Sequence, residues 1–104
     1  MLFLLSFISG LLVCNSIPHL AAGLQGKAFP TPFAKPRGVG LSSPVVNVIW
    51  GWANLFAGLA ILPRLAVLSA LPPLHNSLFL CFAIGFLLMG LGNAWHFGKV
   101  RGGP

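Results

Sequence analysis

The sequence predicts an all-α fold, an integral membrane three-helix bundle with a Pro/Gly-rich loop on its cytoplasmic side. Three observations predict it. The 104 residues include no Asp and no Glu. Hydrophobic residues make up 57% and charged residues 6%, every one of them Lys or Arg. Finally, the chain holds three apolar runs of about 20 residues, the length a helix needs to cross a hydrocarbon core. A soluble domain carries about a quarter charged residues of both signs. This chain cannot wet a globular surface, and its length makes one transmembrane domain, residues 1–104.

The first run covers residues 2–24. It holds Asn15, Ser16, Pro18 and His19, so its final third is polar and proline makes a bend there expected. It reads as a retained anchor. A cleaved signal needs a basic start, whereas Met1 is followed directly by LFLL, and Val13 is bulky for the residue before a lipoprotein cysteine.

Residues 26–43 form the loop, with Pro30, Pro32, Pro36, Gly38 and Gly40. Proline fixes φ and removes a donor, so the segment is extended or turning. Phe29 and Phe33 flank its Pro-Thr-Pro centre. The plain reading is a stiff linker lying at the membrane interface. The functional one is a lid or docking loop over the helix ends.

The second run covers residues 44–62, opened by Ser42-Ser43-Pro44, where serine caps and proline occupies the first turn. The stretch from Leu65 to Leu71 is too short to span. It extends the second helix past Pro63 or lies at the interface. The third run, residues 77–98, has no charge inside it.

Basic residues orient the runs. Lys27, Lys35 and Arg37 lie in the loop, and Lys99 and Arg101 in the tail, which three spans place on the same side. Only Arg64 stands opposite. The positive-inside rule then predicts a multi-pass protein of a bacterial inner membrane, N-terminus outside and C-terminus cytoplasmic. The positive charge is a topology signal, and no nucleic-acid partner is expected. Cys14 and Cys81 differ by about 10 Å in depth, too far for a disulfide.

Placed by depth, Asn15, His19, Asn47, Asn93 and His96 converge on the loop end, with His19 about 25 Å and His96 about 28 Å from the far boundary. Asn54 lies nearer mid-membrane. On the second run, Asn47, Gly51, Asn54 and Gly58 follow at steps of four, three and four, which puts them on one helix face. Gly85, Met89, Gly92 and His96 form a similar stripe on the third. Small residues let helices approach and asparagine bonds across them, so Asn15, Asn47, Gly51, Asn54, Gly58, Gly85, Gly92 and Asn93 are the expected helix-packing seam. In that reading the histidines are interfacial. In a sharper one, His19 and His96 bind haem, a metal or a chlorophyll-type pigment. No cofactor is the primary expectation, and no metal is assigned. Trp50, Trp52 and Trp95 read as an aromatic belt.

Without carboxylates, glycoside hydrolysis, Asp-dependent phosphoryl transfer and Glu-assisted zinc hydrolysis are unavailable. No serine or cysteine has an orienting acid. No catalytic residue is therefore expected, and the protein is not read as an enzyme. The expected function is that of a small accessory or structural subunit of a membrane complex, acting by helix packing. Its partners are the lipid bilayer and either other membrane subunits or copies of itself, with Phe3, Phe7, Phe56, Phe79, Phe82 and Phe86 supplying apolar faces. The alternatives are an electron-transfer component using His19 and His96, and a small self-associating transporter or channel.

Overall fold

The computed structural model describes residues 1–68 and 72–101, with side chains for 1–62 and 76–101. The chain is mostly helical: α1 (Leu2–Leu24), α2 (Pro44–Leu68) and α3 (Pro72–Val100). Three stretches, Leu2–Leu24, Pro44–Leu62 and Asn76–Val100, are long and apolar enough to cross a membrane. Between α1 and α2, two short strands, β1 (Phe29–Pro30) and β2 (Leu41–Ser42), pair antiparallel. This is a small departure from an all-helical chain, and Pro30, which has no N–H to give a ladder, helps keep it to two residues. α2 continues past Pro63 to Leu68, so part of the 65–71 stretch extends that helix. Residues 69–71 and the side chains of Arg64 and His75 lie outside the described residues.

Local chemistry sets the ends. α1 stops where Gly26 takes φ +73°, a left-handed conformation that glycine adopts without penalty. There the Gly26 and Lys27 N–H groups donate to the Gly23 and Ala22 carbonyls at 3.0 and 2.9 Å, which satisfies the last turn in a Schellman arrangement. Pro18 does not end the helix. Near the gap it leaves in the ladder, Ser16 Oγ donates to the Val13 carbonyl at 2.6 Å. α2 starts with Ser43 Oγ accepting from the Val46 N–H at 3.2 Å, an N-cap with Pro44 in the first helical position.

α1 is the centre of the fold, packed on α2 along one side and on α3 along another, while α2 and α3 make no comparable interface among the described residues. α2 runs antiparallel to α1, because Ser9 donates to the Gly58 carbonyl at 2.8 Å near one end and His19 meets Asn47 near the other. α3 runs parallel to α1, because Ser6 Oγ donates to the Leu78 carbonyl and His19 lies beside Phe97. The three-helix bundle is therefore built as a row, with α2 and α3 each packed on α1.

Glycine makes both contacts close. A Cβ at Gly10 would collide with the Phe82 carbonyl, and one at Gly85 with the carbonyl of Phe7, so α1 and α3 cross almost backbone to backbone. On the other side, a Cβ at Gly58 would lie 2.8 Å from Val13, and one at Gly51 2.7 Å from Leu20. Gly92 departs from the expected seam: it is exposed, with nothing within 4 Å of such a Cβ. Beyond the Gly10–Gly85 crossing the helices diverge, and the face toward α1 passes through Gly90 and Asn93 instead.

Burial is inverted relative to a water-soluble domain. Among the described residues the buried polar set is Ser6, Ser9, Ser16, His19, Thr31, Asn47 and Asn54, against only Cys14 and Leu78 as buried hydrophobics. The outer surface carries Phe3, Phe56, Phe79, Leu80, Leu87 and Leu91. Phe7, Phe82 and Phe86, expected with that outer set, are half-buried along the α1–α3 crossing. Cys14 and Cys81 are free thiols.

Two glycine substitutions separate contact from mere composition. Gly85→Ala forces a methyl onto a backbone carbonyl that has no rotamer to yield, and overpacking of this kind costs about 1–3 kcal/mol. Gly92→Ala meets open space and gains up to about 1 kcal/mol of helix propensity. Unfolding titrations in detergent should show the first less stable than the parent and the second at least as stable. Equal effects would contradict the crossing.

Candidate functional site

The polar residues gather into two connected networks at the loop end of α1. The deeper one crosses all three helices. Asn93 Nδ2 donates to Asn15 Oδ1 at 3.2 Å, Asn15 Nδ2 donates to Asn54 Oδ1 at 3.0 Å, and Asn54 Nδ2 donates to the Trp50 carbonyl at 2.8 Å. Asn15 and Asn54 each both give and accept, so the chain has a direction, α3 to α1 to α2.

The second network is centred on Asn47, which is 0% exposed. Its Nδ2 faces the carbonyls of Phe29, Ser42 and Ser43 at 3.0, 3.2 and 3.0 Å. Three acceptors around one nitrogen fix the amide's orientation. Asn47 Oδ1 therefore faces His19 Nδ1, 2.8 Å away, and the imidazole must donate. In neutral His19, Nε2 is then the acceptor. His19 as a whole is 2% exposed, so it is not the solvated interfacial residue its place in the sequence suggests. Phe29, Trp50 and Phe97 surround it edge-on.

The loop is folded over this end. Thr31 organises it: its carbonyl accepts from the N–H of Ala34 and of Gly38, its hydroxyl accepts from the Phe33 N–H, and that hydroxyl also pairs with Ser42 Oγ. Gly38, at φ +69°, takes the left-handed turn and presents its carbonyl to His96, whose Nε2–H donates at 2.7 Å. Phe29 packs on Phe97 with ring centroids 4.7 Å apart, and Phe33 sits edge-on to Trp50 at 5.0 Å. The loop is packed over the helix ends.

Beneath the cover lies a cavity of about 320 Å³ lined by residues that include His19, Arg37, Trp50, His96 and Phe97. Trp50 Nε1 is buried and has no hydrogen-bond partner among the described residues. Trp52 and Trp95 instead face outward, 58% and 67% exposed, with Lys99 Nζ 4.4 Å from the Trp95 ring centre. Two tryptophans thus fit an interfacial belt and the third belongs to the cavity. A second cavity of about 310 Å³, mostly apolar and lined by Pro18, Gly90 and Phe97 among others, occupies the space where α1 and α3 diverge.

His19 and His96 line one cavity, as their equal depth suggests, yet each already has a protein partner. No group of three or more His, Cys, Asp or Glu side chains stands ready for a metal ion among the described residues. The face of Asn47, Gly51, Asn54 and Gly58 meets α1 throughout. Ser9 and Ser6, which bond α1 to α2 and to α3, were not singled out by the sequence. Their spacing on one apolar helix, together with Gly10, is the signal that would have found them.

No protein-family model, no curated protein and no solved structure matches this chain.

Asn47→Ala removes the donor to three carbonyls and the acceptor for His19. Leaving buried polar groups unpaired costs about 1–3 kcal/mol, and the loss should free the loop. Trypsin cleavage after Arg37 should accelerate at least several-fold in the variant. An unchanged rate would mean that other contacts hold the cover.

Proposed function

We propose that this chain is an integral membrane protein of three spans, N-terminus outside and C-terminus cytoplasmic, that serves as an accessory or structural subunit of a membrane complex. The observation that carries the membrane part is the inverted burial. Serine, asparagine and histidine lie inside while Phe79, at 72% exposed, and its neighbours lie outside. In water such an exterior would drive association; in lipid it is the stable arrangement, with polar groups satisfied internally. The molecule's long dimension, 45 Å, is comparable with a whole bilayer of about 40–45 Å including headgroups.

The orientation rests on charge. His96 bonded to Gly38 and Arg101 over Phe29 put the tail beside the loop, which gathers Lys27, Lys35, Arg37, Lys99 and Arg101 at one end. The accessory role rests on shape. A row of three helices around α1 leaves α2 and α3 each with a broad apolar flank, and a chain without carboxylates has little of its own chemistry to place there. A second reading, cofactor binding through His19 and His96, is favoured by their shared cavity. It is weakened because coordination by His96 Nε2 would require releasing Gly38.

Alkaline carbonate should leave the protein in the membrane pellet. Cysteines introduced as Lys27→Cys or Lys99→Cys, with Cys14 and Cys81 replaced by Ala, should resist an impermeant maleimide in intact cells and react after permeabilisation. Labelling in intact cells would reverse the orientation. On native gels the protein should migrate with other subunits, and migration alone or as a homo-oligomer would sink the accessory role.

A further inference from the structure

The cavity under the loop has chemistry that helix packing does not use. Two of its lining groups point to one kind of guest. Arg37 lines the same space, and the chain supplies no Asp or Glu to pair with it. A guanidinium with no internal carboxylate favours an oxyanion, which it can hold with two parallel N–H donors. His19, committed to Asn47 through Nδ1, keeps Nε2 as an acceptor when neutral, so a hydroxyl on the guest has somewhere to donate.

We propose that this cavity binds the headgroup of an anionic amphiphile, a phosphate that also carries a hydroxyl, with Arg37 on the phosphate oxygens and His19 Nε2 on the hydroxyl. The size agrees: about 320 Å³ is at the small end of ligand pockets, which run from roughly 300 Å³ upward, and suits a headgroup better than a whole lipid. Position agrees too. The cavity lies at the basic end, where juxtamembrane Lys and Arg meet anionic headgroups, and the loop's Pro30 and Pro32 wall it with little ordering cost. The lipid source rests on the membrane reading above; the phosphate chemistry does not, since a free phosphate ester meets the same two groups.

The test uses the full chain in mild detergent, with Trp52→Phe and Trp95→Phe so that Trp50 is the only fluorophore. Phosphatidylglycerol, phosphatidylcholine and inorganic phosphate are titrated separately. Phosphatidylglycerol should give a saturable shift in Trp50 emission, and phosphatidylcholine, which has no hydroxyl and no net charge, at least tenfold weaker binding. Arg37→Gln, at an exposed side chain, should weaken phosphatidylglycerol at least tenfold, while Lys27→Gln changes it less than twofold. Native mass spectrometry of the lipid retained by Arg37→Gln should show the same loss, with the helical circular dichroism unchanged. Saturation by inorganic phosphate as tight as by the lipid would keep the site and assign it to a soluble anion. No saturation by either, or equal losses in Arg37→Gln and Lys27→Gln, would overturn the proposal. Carbonate extraction fails or succeeds independently, so a soluble chain with an intact phosphate site is distinguishable from a membrane chain without one.

Discussion

The Asn47 carboxamide is the contact on which the loop end of this protein depends. One fully buried side chain holds the carbonyl that opens the loop, the two that close it, and the ring of His19 on α1. No apolar contact has that reach. Apolar packing between helices has little driving force where the surroundings are themselves apolar, so what distinguishes one helix arrangement from another is hydrogen bonding and close approach. Asn47 supplies the first, and glycine supplies the second.

The same logic explains why α1 is the hub. Its small polar residues face two directions: Ser9 reaches the Gly58 carbonyl of α2, and Ser6 the Leu78 carbonyl of α3. These carbonyls already accept within their own helices, and each has a second lone pair to give. Asn15 extends the pattern by accepting from Asn93 and donating to Asn54, so the two interfaces of α1 are linked through one amide. Interhelical bonds of this type are worth about 0.6 kcal/mol each in membrane proteins. Their number and placement along α1 matter more than any one strength. α2 and α3 need no interface of their own, and their flanks remain free.

The three helices were legible because their signals are local: apolar runs of spanning length, a Ser43-Pro44 start, and Gly26 past the end of α1. The α2 face was legible too, since Asn47, Gly51, Asn54 and Gly58 need only helical spacing to align. What spacing cannot give is distance. Gly85 and Gly92 are seven residues apart and nearly superimpose on a helical wheel, yet one meets Phe7 and the other meets nothing, because where two helices diverge is fixed by their crossing. The serines escaped notice because hydropathy treats a single hydroxyl in an apolar run as noise. The loop's cover-like fold was hidden for a different reason. Its decisive bonds join residues far apart in the chain, His96 to Gly38 and Asn47 to Phe29, and composition alone reads only stiffness.

The absence of acidic residues then takes on a second meaning. In the span regions it removes charges that lipid would penalise. At the loop end it leaves Arg37 and the other cations without any Asp or Glu to neutralise them. Helix packing accounts for the asparagines and the glycines. It does not use Arg37, which shares the wall of one cavity with His19, and an oxyanion bound there would supply the negative charge that the chain itself lacks.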